Sequence, residues 1–215
     1  MASQPGPGET RGIVLIVDDD ESIRVALRRL MASAGLEGRA YESAEEFMGA
    51  EVPDRPACAI LDLRLPGLDG LELQQELTRR GSEIPLIFLS GHGTVPVSVQ
   101  ALKEGALDFL EKPVEDEVLL QAVGRALELD REARRQRARR ERIQRRVDSL
   151  TPREREVMEL VVAGLLNKQV AYRLGASEKT IKVHRGRVMR KMDADSLAEL
   201  VRMAGEVGIR GEPDA

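Results

Sequence analysis

The chain has 215 residues, which is enough for two small domains that each bury a core. Hydrophobic residues make up 42% of the chain, but no run of about eighteen apolar residues occurs, so the sequence excludes a membrane-spanning protein. The net charge of -4 argues against a protein that is basic throughout, although the charge is distributed unevenly along the chain.

The first eleven residues are rich in Pro and Gly and lack the apolar segment of a signal peptide. We therefore expect residues 1–11 to form a disordered leader of a protein that stays in the cytoplasm. The single cysteine, Cys58, lies inside an apolar run and has no partner for a disulfide. It is predicted to be a small core residue.

Between residues 12 and 129, short apolar segments alternate with amphipathic segments, which is typical of a parallel sheet with helices on both faces. Five strands are predicted, at Ile13–Val17, Gly38–Tyr41, Ala57–Leu61, Pro85–Leu89 and Ala106–Leu110. A helix is predicted after each strand, at Ser22–Ala34, Ser43–Ala50, Gly70–Arg80, Val95–Glu104 and from Glu115 onward. The pattern indicates a doubly wound (βα)5 domain of the α/β class.

The fifth helix has no Pro or Gly to end it between Gly124 and Pro152. Its first part is apolar on one face, whereas nine arginines lie between residues 128 and 147 and the apolar face nearly vanishes beyond Asp130. We expect residues 130–148 to form a solvated, basic helical linker. A disordered basic linker is the alternative, and contact of these arginines with DNA phosphates is left open.

Capping signals after residue 148 predict four short helices, so an all-α domain is expected at 149–208, followed by a flexible tail at 209–215. Thr151 and Glu154 form the pattern of a capping box, with Pro152 at the first helical position. Asn167 is expected to cap the second helix, Ser177 the third and Ser196 the fourth.

Chemically active side chains follow four of the predicted strands. Asp18, Asp19 and Asp20 follow the first strand, Asp62 the third, Ser90 the fourth and Lys112 the fifth. Ligands of doubly wound sheets bind beyond the carboxyl ends of the strands, so these groups are expected to converge. Clustered carboxylates favour a hard cation such as Mg2+, and a carboxylate beside Mg2+ and an ammonium can attack a phosphoryl donor. Asp62 lies centrally for this role, although any one acid taken alone could be a helix cap or a solvated loop residue.

These residues stand in motifs that resemble the receiver domains of two-component response regulators. The motifs are Ile16–Asp20, Leu61–Gly67, Phe88–Gly91 and Asp108–Pro113, and the resemblance covers residues 12–129. It implies a flavodoxin-like fold.

The resemblance also implies a role for each residue of the pocket. Asp62 would be the phosphoacceptor, and Asp18, Asp19, Asp62 and the backbone carbonyl of Arg64 would hold Mg2+ or Mn2+. Ser90 would move toward the phosphoryl oxygens, Lys112 would pair with them, and Phe109 would rotate inward, unless Phe109 is simply a core residue. Arg64 and His92 occupy positions that modulate the lifetime of the acyl phosphate, and Asp20 is an extra acid.

The second and third helices of the C-terminal region fit a helix-turn-helix, in which the second element, Glu178–Met192, enters the major groove. Ile181, His184, Val188 and Met192 have the spacing of its buried face. An amphipathic helix in a protein-binding bundle is the alternative.

This region also resembles the LuxR-type output domain and, with the receiver, the FixJ/NarL class of regulators. Leu150–Glu156, Asn167–Ala171 and Lys179–Arg185 carry the resemblance. It implies DNA contacts by Lys179, Thr180, Lys182, Val183 and Arg187.

Together these observations predict a transcription factor, not an enzyme. A sensor histidine kinase is expected to phosphorylate Asp62, after which residues 95–104 and 106–110 form a homodimer interface. The dimer would bind promoter DNA and activate transcription, with RNA polymerase as a further partner. Two alternatives remain: a Mg2+-dependent phosphohydrolase with Asp62 as nucleophile, which the cation Arg64 disfavours because an acid is needed there, and a receiver joined to a protein-binding helical module.

Overall fold

The computed structural model describes residues 12–51, 53–91 and 94–209, so the leader, His92 and the tail beyond Ile209 lie outside the described residues. The strands are β1 Ile13–Val17, β2 Glu37–Tyr41, β3 Ala57–Leu61, β4 Leu86–Ser90 and β5 Asp108–Glu111. The helices are α1 Glu21–Ser33, α2 Ala44–Gly49, α3 Gly70–Arg79, α4 Val95–Lys103, α5 Asp116–Asp148, α6 Pro152–Val162, α7 Asn167–Arg173, α8 Glu178–Met192 and α9 Leu197–Glu206. None of the described helices has both the length and the apolar character needed to cross a membrane.

The chain divides into two compact units, which we name the first unit, ending at Arg134, and the second unit, beginning at Arg135. The first unit contains a parallel sheet with strand order β2-β1-β3-β4-β5. The second unit is helical. The predicted fold class, a doubly wound α/β domain followed by an all-α domain, is therefore confirmed.

Both faces of the central strands are buried, which explains their uninterrupted apolar sequences. Alternate residues of a strand point to opposite faces, so Leu15 and Phe88 pack in one layer and Ile16 and Ile87 in the other. Cys58 lies in the second layer with the α1 and α5 side chains. Burial, together with the nearby Asp130 carboxylate, raises the pKa of its thiol to about 12, so it is an unreactive core residue as predicted.

Asp130, where the sequence predicts the solvated linker to begin, is a buried residue of the first unit. Its side chain accepts a hydrogen bond from the backbone N–H of Ala57 at 2.8 Å, and it pairs with Arg134 Nε at 2.6 Å. Arg134 also donates to the carbonyl of Pro53 at 3.1 Å. This part of α5 is thus joined to the segment that leads into β3.

The end of α5 belongs to the core of the second unit. Ile143 and Val147 are 3% and 1% exposed and pack with side chains of α6, α8 and α9. The expectation of a solvated helix throughout 130–148 is therefore wrong for these two residues, as it is for Asp130. Ile143 and Val147 are four residues apart and therefore lie on the same face of the helix. That face is buried although the rest of this part of α5 is rich in arginine.

Asn167 is not the cap of α7, contrary to the sequence prediction. The cap is Leu166, whose N–H donates to Gln169 Oε1 at 2.8 Å, and Asn167 is the first helical residue. The Asn167 side chain instead accepts a hydrogen bond from Arg185 Nη1 at 3.1 Å, so it links α7 to α8. The predicted caps Thr151, Ser177 and Ser196 are confirmed, since each accepts a hydrogen bond from a backbone N–H of its helix.

Candidate functional site

Three carboxylates meet at the carboxyl edge of the sheet, because β1 and β3 are parallel neighbours that end side by side. Asp18 and Asp19 follow β1, Asp62 follows β3, and one oxygen of each lies within 4.8 Å of the others. We name these three residues the acidic cluster. Asp18 is buried and Asp19 is exposed, so the cluster opens to solvent on one side. A set of ligands made only of carboxylate oxygens fits a hard divalent cation such as Mg2+.

Lys112 joins the acidic cluster from the end of β5. Its Nζ lies 2.7 Å from Asp18 Oδ2 and 3.5 Å from Asp62 Oδ1. Burial raises the pKa of Asp18, and the hydrogen bond from Lys112 acts in the opposite direction without cancelling the effect of burial. A cation at this place therefore stabilises carboxylates that would otherwise repel one another.

The three consecutive aspartates have three different environments. Asp20 lies outside the acidic cluster and caps α1, accepting hydrogen bonds from the N–H groups of Ser22 at 2.8 Å and Ile23 at 3.4 Å. Hydrogen bonds from Ser22 lower the pKa of Asp20. Its own N–H donates to Asp18 Oδ1 at 2.9 Å, which helps to hold the Asp18 carboxylate in place. The interpretation of Asp20 as an extra acid agrees with this role as a cap.

Arg24 is a member of the site that the sequence analysis missed. Its Nη1 donates to the carbonyl oxygens of Asp18 at 2.7 Å and Asp19 at 2.9 Å. The residue is the fourth of α1, four positions after the last of the three aspartates. In the sequence, Arg24 is recognisable only as a basic residue a few positions after three acidic ones. Such a spacing does not indicate that its side chain binds backbone carbonyls.

Ser90 and Phe109 lie on β4 and β5, next to the acidic cluster along the sheet. Ser90 is fully buried, and its carbonyl accepts a hydrogen bond from the Lys112 N–H at 3.0 Å. Phe109 is half-buried and stacks on Phe88, with 5.8 Å between ring centroids and 27° between planes. The structure thus brings together the predicted residues Asp18, Asp19, Asp62 and Lys112. Ser90 ends the neighbouring strand β4, and Phe109 lies within β5.

The loop after Asp62 packs tightly against the start of α3. A Cβ on Gly70 would lie 2.4 Å from the Asp62 carbonyl oxygen and 3.0 Å from the Phe88 ring, so only glycine fits there. The Gly70 N–H also donates to the carbonyl of Leu63 at 2.9 Å. Arg64, in the same loop, has an exposed side chain.

In the second unit, α8 has one buried face and one exposed face. Ile181, Val188 and Met192 are buried, as the spacing predicted, and His184 is half-buried. The exposed residues include all five that were predicted to touch DNA, namely Lys179, Thr180, Lys182, Val183 and Arg187. Gly186 is also exposed, and beyond its chain neighbours and the backbone of its own helix a Cβ there would meet open space.

The carboxyl end of α8 is joined to α6 by an ion pair whose carboxylate, Glu154, is buried. Lys191 Nζ lies 2.7 Å from Glu154 Oε2 and 2.8 Å from the carbonyl of Ser149. The hydrogen bond from Lys191, helped by the Thr151 N–H, lowers the pKa of Glu154 to about 2. Arg146 adds a bond to the carbonyl of Met192 at 3.0 Å. The helix that carries the exposed face is therefore joined at its carboxyl end to α6 and α5.

Two family models match the chain, one in each unit. Residues 14–124 match the response regulator receiver domain, and residues 148–204 match the bacterial regulatory proteins of the luxR family. Among similar proteins, Nodulation protein W of Bradyrhizobium diazoefficiens is 48% identical over 93% of this chain and 88% of its own length. Transcriptional regulatory protein FixJ of Azorhizobium caulinodans is 45% identical over 94% of this chain and 96% of its own length.

Two solved structures of response regulators are similar to this chain over most of its length. The response regulator StyR is 41% identical, with a TM-score of 0.83 over 92% of this chain and all of the other. Full-length FixJ from B. japonicum is also 41% identical, with a TM-score of 0.55 over 93% of this chain and 98% of the other.

Proposed function

Because the chain belongs to the response regulators that join a receiver domain to a LuxR-type DNA-binding domain, we propose that Asp62 is the phosphoacceptor that controls DNA binding by α8. The observation that carries this proposal is the position of Lys112 Nζ, between Asp18 and Asp62 in the acidic cluster. The family's function is transcription regulation, and the proposal assigns it to particular residues of this chain.

The proposed chemistry is transfer of a phosphoryl group from a phosphohistidine of a sensor kinase. An oxygen of Asp62 attacks phosphorus, the P–N bond breaks, and its electron pair returns to the imidazole, which leaves an acyl phosphate on Asp62. Lys112 would pair with the phosphoryl oxygens, and Ser90 would donate its hydroxyl hydrogen to one of them. Mg2+, or Mn2+, held by Asp18, Asp19, Asp62 and the Arg64 carbonyl would offset negative charge on the transferred group.

We assign the residues to domains as follows: a leader at 1–11, the receiver at 12–129, a helical linker at 130–148, the LuxR-type domain at 149–208 and a tail at 209–215. The ranges of the two family models and the division between Arg134 and Arg135 support this assignment within a few residues. The protein would act in the cytoplasm, where the kinase and the promoter are both accessible.

Phosphorylation is proposed to create a homodimer through α4 and β5. On α4, Val95, Val99 and Leu102 are 77%, 42% and 45% exposed, and their spacing places them on one side of the helix. Exposed apolar side chains on one face of a helix are typical of a protein–protein interface, here with the same helix of a second copy of the chain. Rotation of Phe109, at the edge of this surface on β5, would link the acyl phosphate to the interface.

The dimer would present two copies of α8 to paired half-sites on promoter DNA. Lys179, Lys182 and Arg187 would contact phosphates or base edges, and Val183, which is 50% exposed, is available for an apolar contact with a thymine methyl group. Doubling these contacts converts weak monomer binding into specific binding. RNA polymerase would be recruited at the occupied promoter, so that transcription is activated.

The experiment compares the wild type with Asp62→Asn after treatment with acetyl phosphate and Mg2+. We expect the wild type to gain one acid-stable, alkali-labile phosphoryl group, to dimerise in light scattering, and to footprint the promoter next to its own gene. The variant should do none of these. Dimerisation of Asp62→Asn under the same treatment, or steady hydrolysis of phosphate esters by the wild type, would contradict the proposal.

A further inference from the structure

Arg24 holds the two peptide units that carry the acidic cluster's first two carboxylates. A single nitrogen, Nη1, donates to the carbonyls of both Asp18 and Asp19, at 2.7 and 2.9 Å. The side chain is half-buried and begins in the first turn of α1, whose start is itself fixed by the cap Asp20. The loop between β1 and α1 is therefore held by a side chain of the helix that follows it.

The loop needs such a restraint because its carboxylates repel one another. Oxygens of Asp18, Asp19 and Asp62 lie within 4.8 Å, and like charges at this distance favour any backbone change that separates them. Asp18 is held by Lys112 and by the Asp20 N–H. Asp19 is exposed; its carbonyl is held by Arg24, and the N–H on the other side of the same peptide bond, that of Asp20, donates to Asp18 Oδ1.

We propose that Arg24 is a positioning residue of the phosphoryl-transfer site, which fixes the backbone of Asp18 and Asp19 so that both carboxylates face Asp62 and can hold the divalent cation together. This inference rests on the proposed function of the acidic cluster. Arg24 acts on the carbonyl oxygens and takes no part in the chemistry itself. Groups that orient the ligands of a metal commonly change metal affinity by about 10- to 100-fold when they are removed.

Whether Mg2+ binds more weakly or more tightly when Arg24 is removed distinguishes a positioning role from a purely electrostatic one. If Arg24 acted only through its charge, its removal would strengthen Mg2+ binding, because a cation near the site repels another cation. If it acts by holding the backbone, its removal weakens Mg2+ binding, because the carboxylates are then free to separate. The two roles therefore predict opposite changes in one measurement.

The test is a titration of the full-length protein with Mg2+ by calorimetry, for the wild type, Arg24→Ala and Arg29→Ala. Arg29 is an exposed arginine of the same helix, so it is a matched control for loss of charge and of helix propensity. We expect the Mg2+ dissociation constant to rise about tenfold in Arg24→Ala and to stay within twofold of the wild type in Arg29→Ala. Urea unfolding without Mg2+ is measured in parallel, so that a change in fold is detected separately.

An unchanged or lower dissociation constant in Arg24→Ala would overturn the inference, as would a loss of stability without Mg2+ that leaves the affinity unchanged. Should Arg24→Ala not fold, Arg24→Lys replaces it, since lysine keeps the charge but its stem is one bond shorter and it lacks the guanidinium. Weaker Mg2+ binding by this variant supports the inference, and wild-type affinity refutes it. Failure of the wild type to bind Mg2+ or to accept a phosphoryl group would instead refute the proposed function.

Discussion

Replacing Glu154 by Gln removes the charge of an ion pair that fixes α8 to α6. The Glu154 side chain is 4% exposed and accepts hydrogens from Lys191 Nζ at 2.7 Å and the Thr151 N–H at 2.9 Å. Glutamine keeps nearly the same volume, so packing is retained while the charged partner of Lys191 is lost. The substitution therefore measures the ion pair with little change in the surrounding core.

The size of the effect follows from the pKa of Glu154. Its fall from 4.5 to about 2, caused first by Lys191 and then by the Thr151 N–H, corresponds to about 3 kcal/mol. Lys191 is 36% exposed, so solvent screens part of this interaction. We therefore expect Glu154→Gln to lower the free energy of unfolding of the second unit by about 1–2 kcal/mol at pH 7.

The lowered pKa of Glu154 also determines how the stability of the second unit depends on pH. A carboxyl whose pKa is lower in the folded state stabilises the fold above its unfolded pKa, here 4.5, and this contribution is lost as the pH falls toward about 2. Glutamine does not titrate. The difference in stability between wild type and variant should therefore be full at pH 7 and shrink steadily below pH 4.5.

Urea-dependent hydrogen exchange of full-length protein, read on peptides from α6 and α8, measures the stability of the second unit separately. The matched control is Glu156→Gln, because Glu156 pairs with Arg153 on the same helix at 2.8 Å but is 51% exposed. We expect this control to cost less than about 0.5 kcal/mol. Equal losses for the two variants, or a Glu154→Gln difference that is as large at pH 3 as at pH 7, would show that the ion pair is not what stabilises α8.

Three further predictions follow from the geometry. Gly70→Ala should destabilise the first unit by about 1–3 kcal/mol in urea unfolding and slow its phosphorylation, because the new Cβ would meet the Asp62 carbonyl. The control Gly124→Ala, where a Cβ on α5 would lie in open space, should be neutral or stabilising. Val99→Asp should leave phosphorylation intact but prevent dimerisation in light scattering and remove its effect on DNA affinity, and a normal dimer would refute the assigned interface. Arg187→Ala should lower the slope of log affinity against log salt by about 1 on any DNA sequence, and an unchanged slope would remove Arg187 from the phosphate contacts.

The sequence predicted the sheet well where burial and strand pairing coincide. β1 and β3 have the predicted bounds, because both faces of these strands are buried and their apolar runs are unbroken. β5 begins two residues later than predicted, at Asp108, although Ala106 is buried. An apolar pattern reports burial, whereas a strand is defined by its hydrogen bonds, and the two differ at the edge of a sheet.

The acidic cluster could be predicted because its position depends on the topology of the sheet. The residues that hold the cluster in place could not, because their contacts depend on individual side chains. Parallel strands bring their carboxyl ends to one edge, so residues far apart in sequence meet there for any set of loops. Arg24 and Gly70 were missed, since a bond to a carbonyl and the absence of a Cβ have no regular spacing in the sequence. The same reason explains Asn167, whose expected capping bond was replaced by one to Arg185 from another helix.

The distribution of charge favours the proposal that phosphorylation acts on DNA binding through a dimer. Acidic residues outnumber basic ones in the first unit, and the reverse holds in the second, so the net charge of -4 conceals two units of opposite sign. A phosphoryl group adds a further charge of about -1.5 to -2 to the acidic unit. By Coulomb's law alone this addition would weaken binding to DNA, and salt would screen it beyond about 8–10 Å. Stronger binding after phosphorylation would therefore not be a direct effect of charge. We expect it to come from the contacts of a second copy of α8, so a monomeric variant should bind no better when phosphorylated.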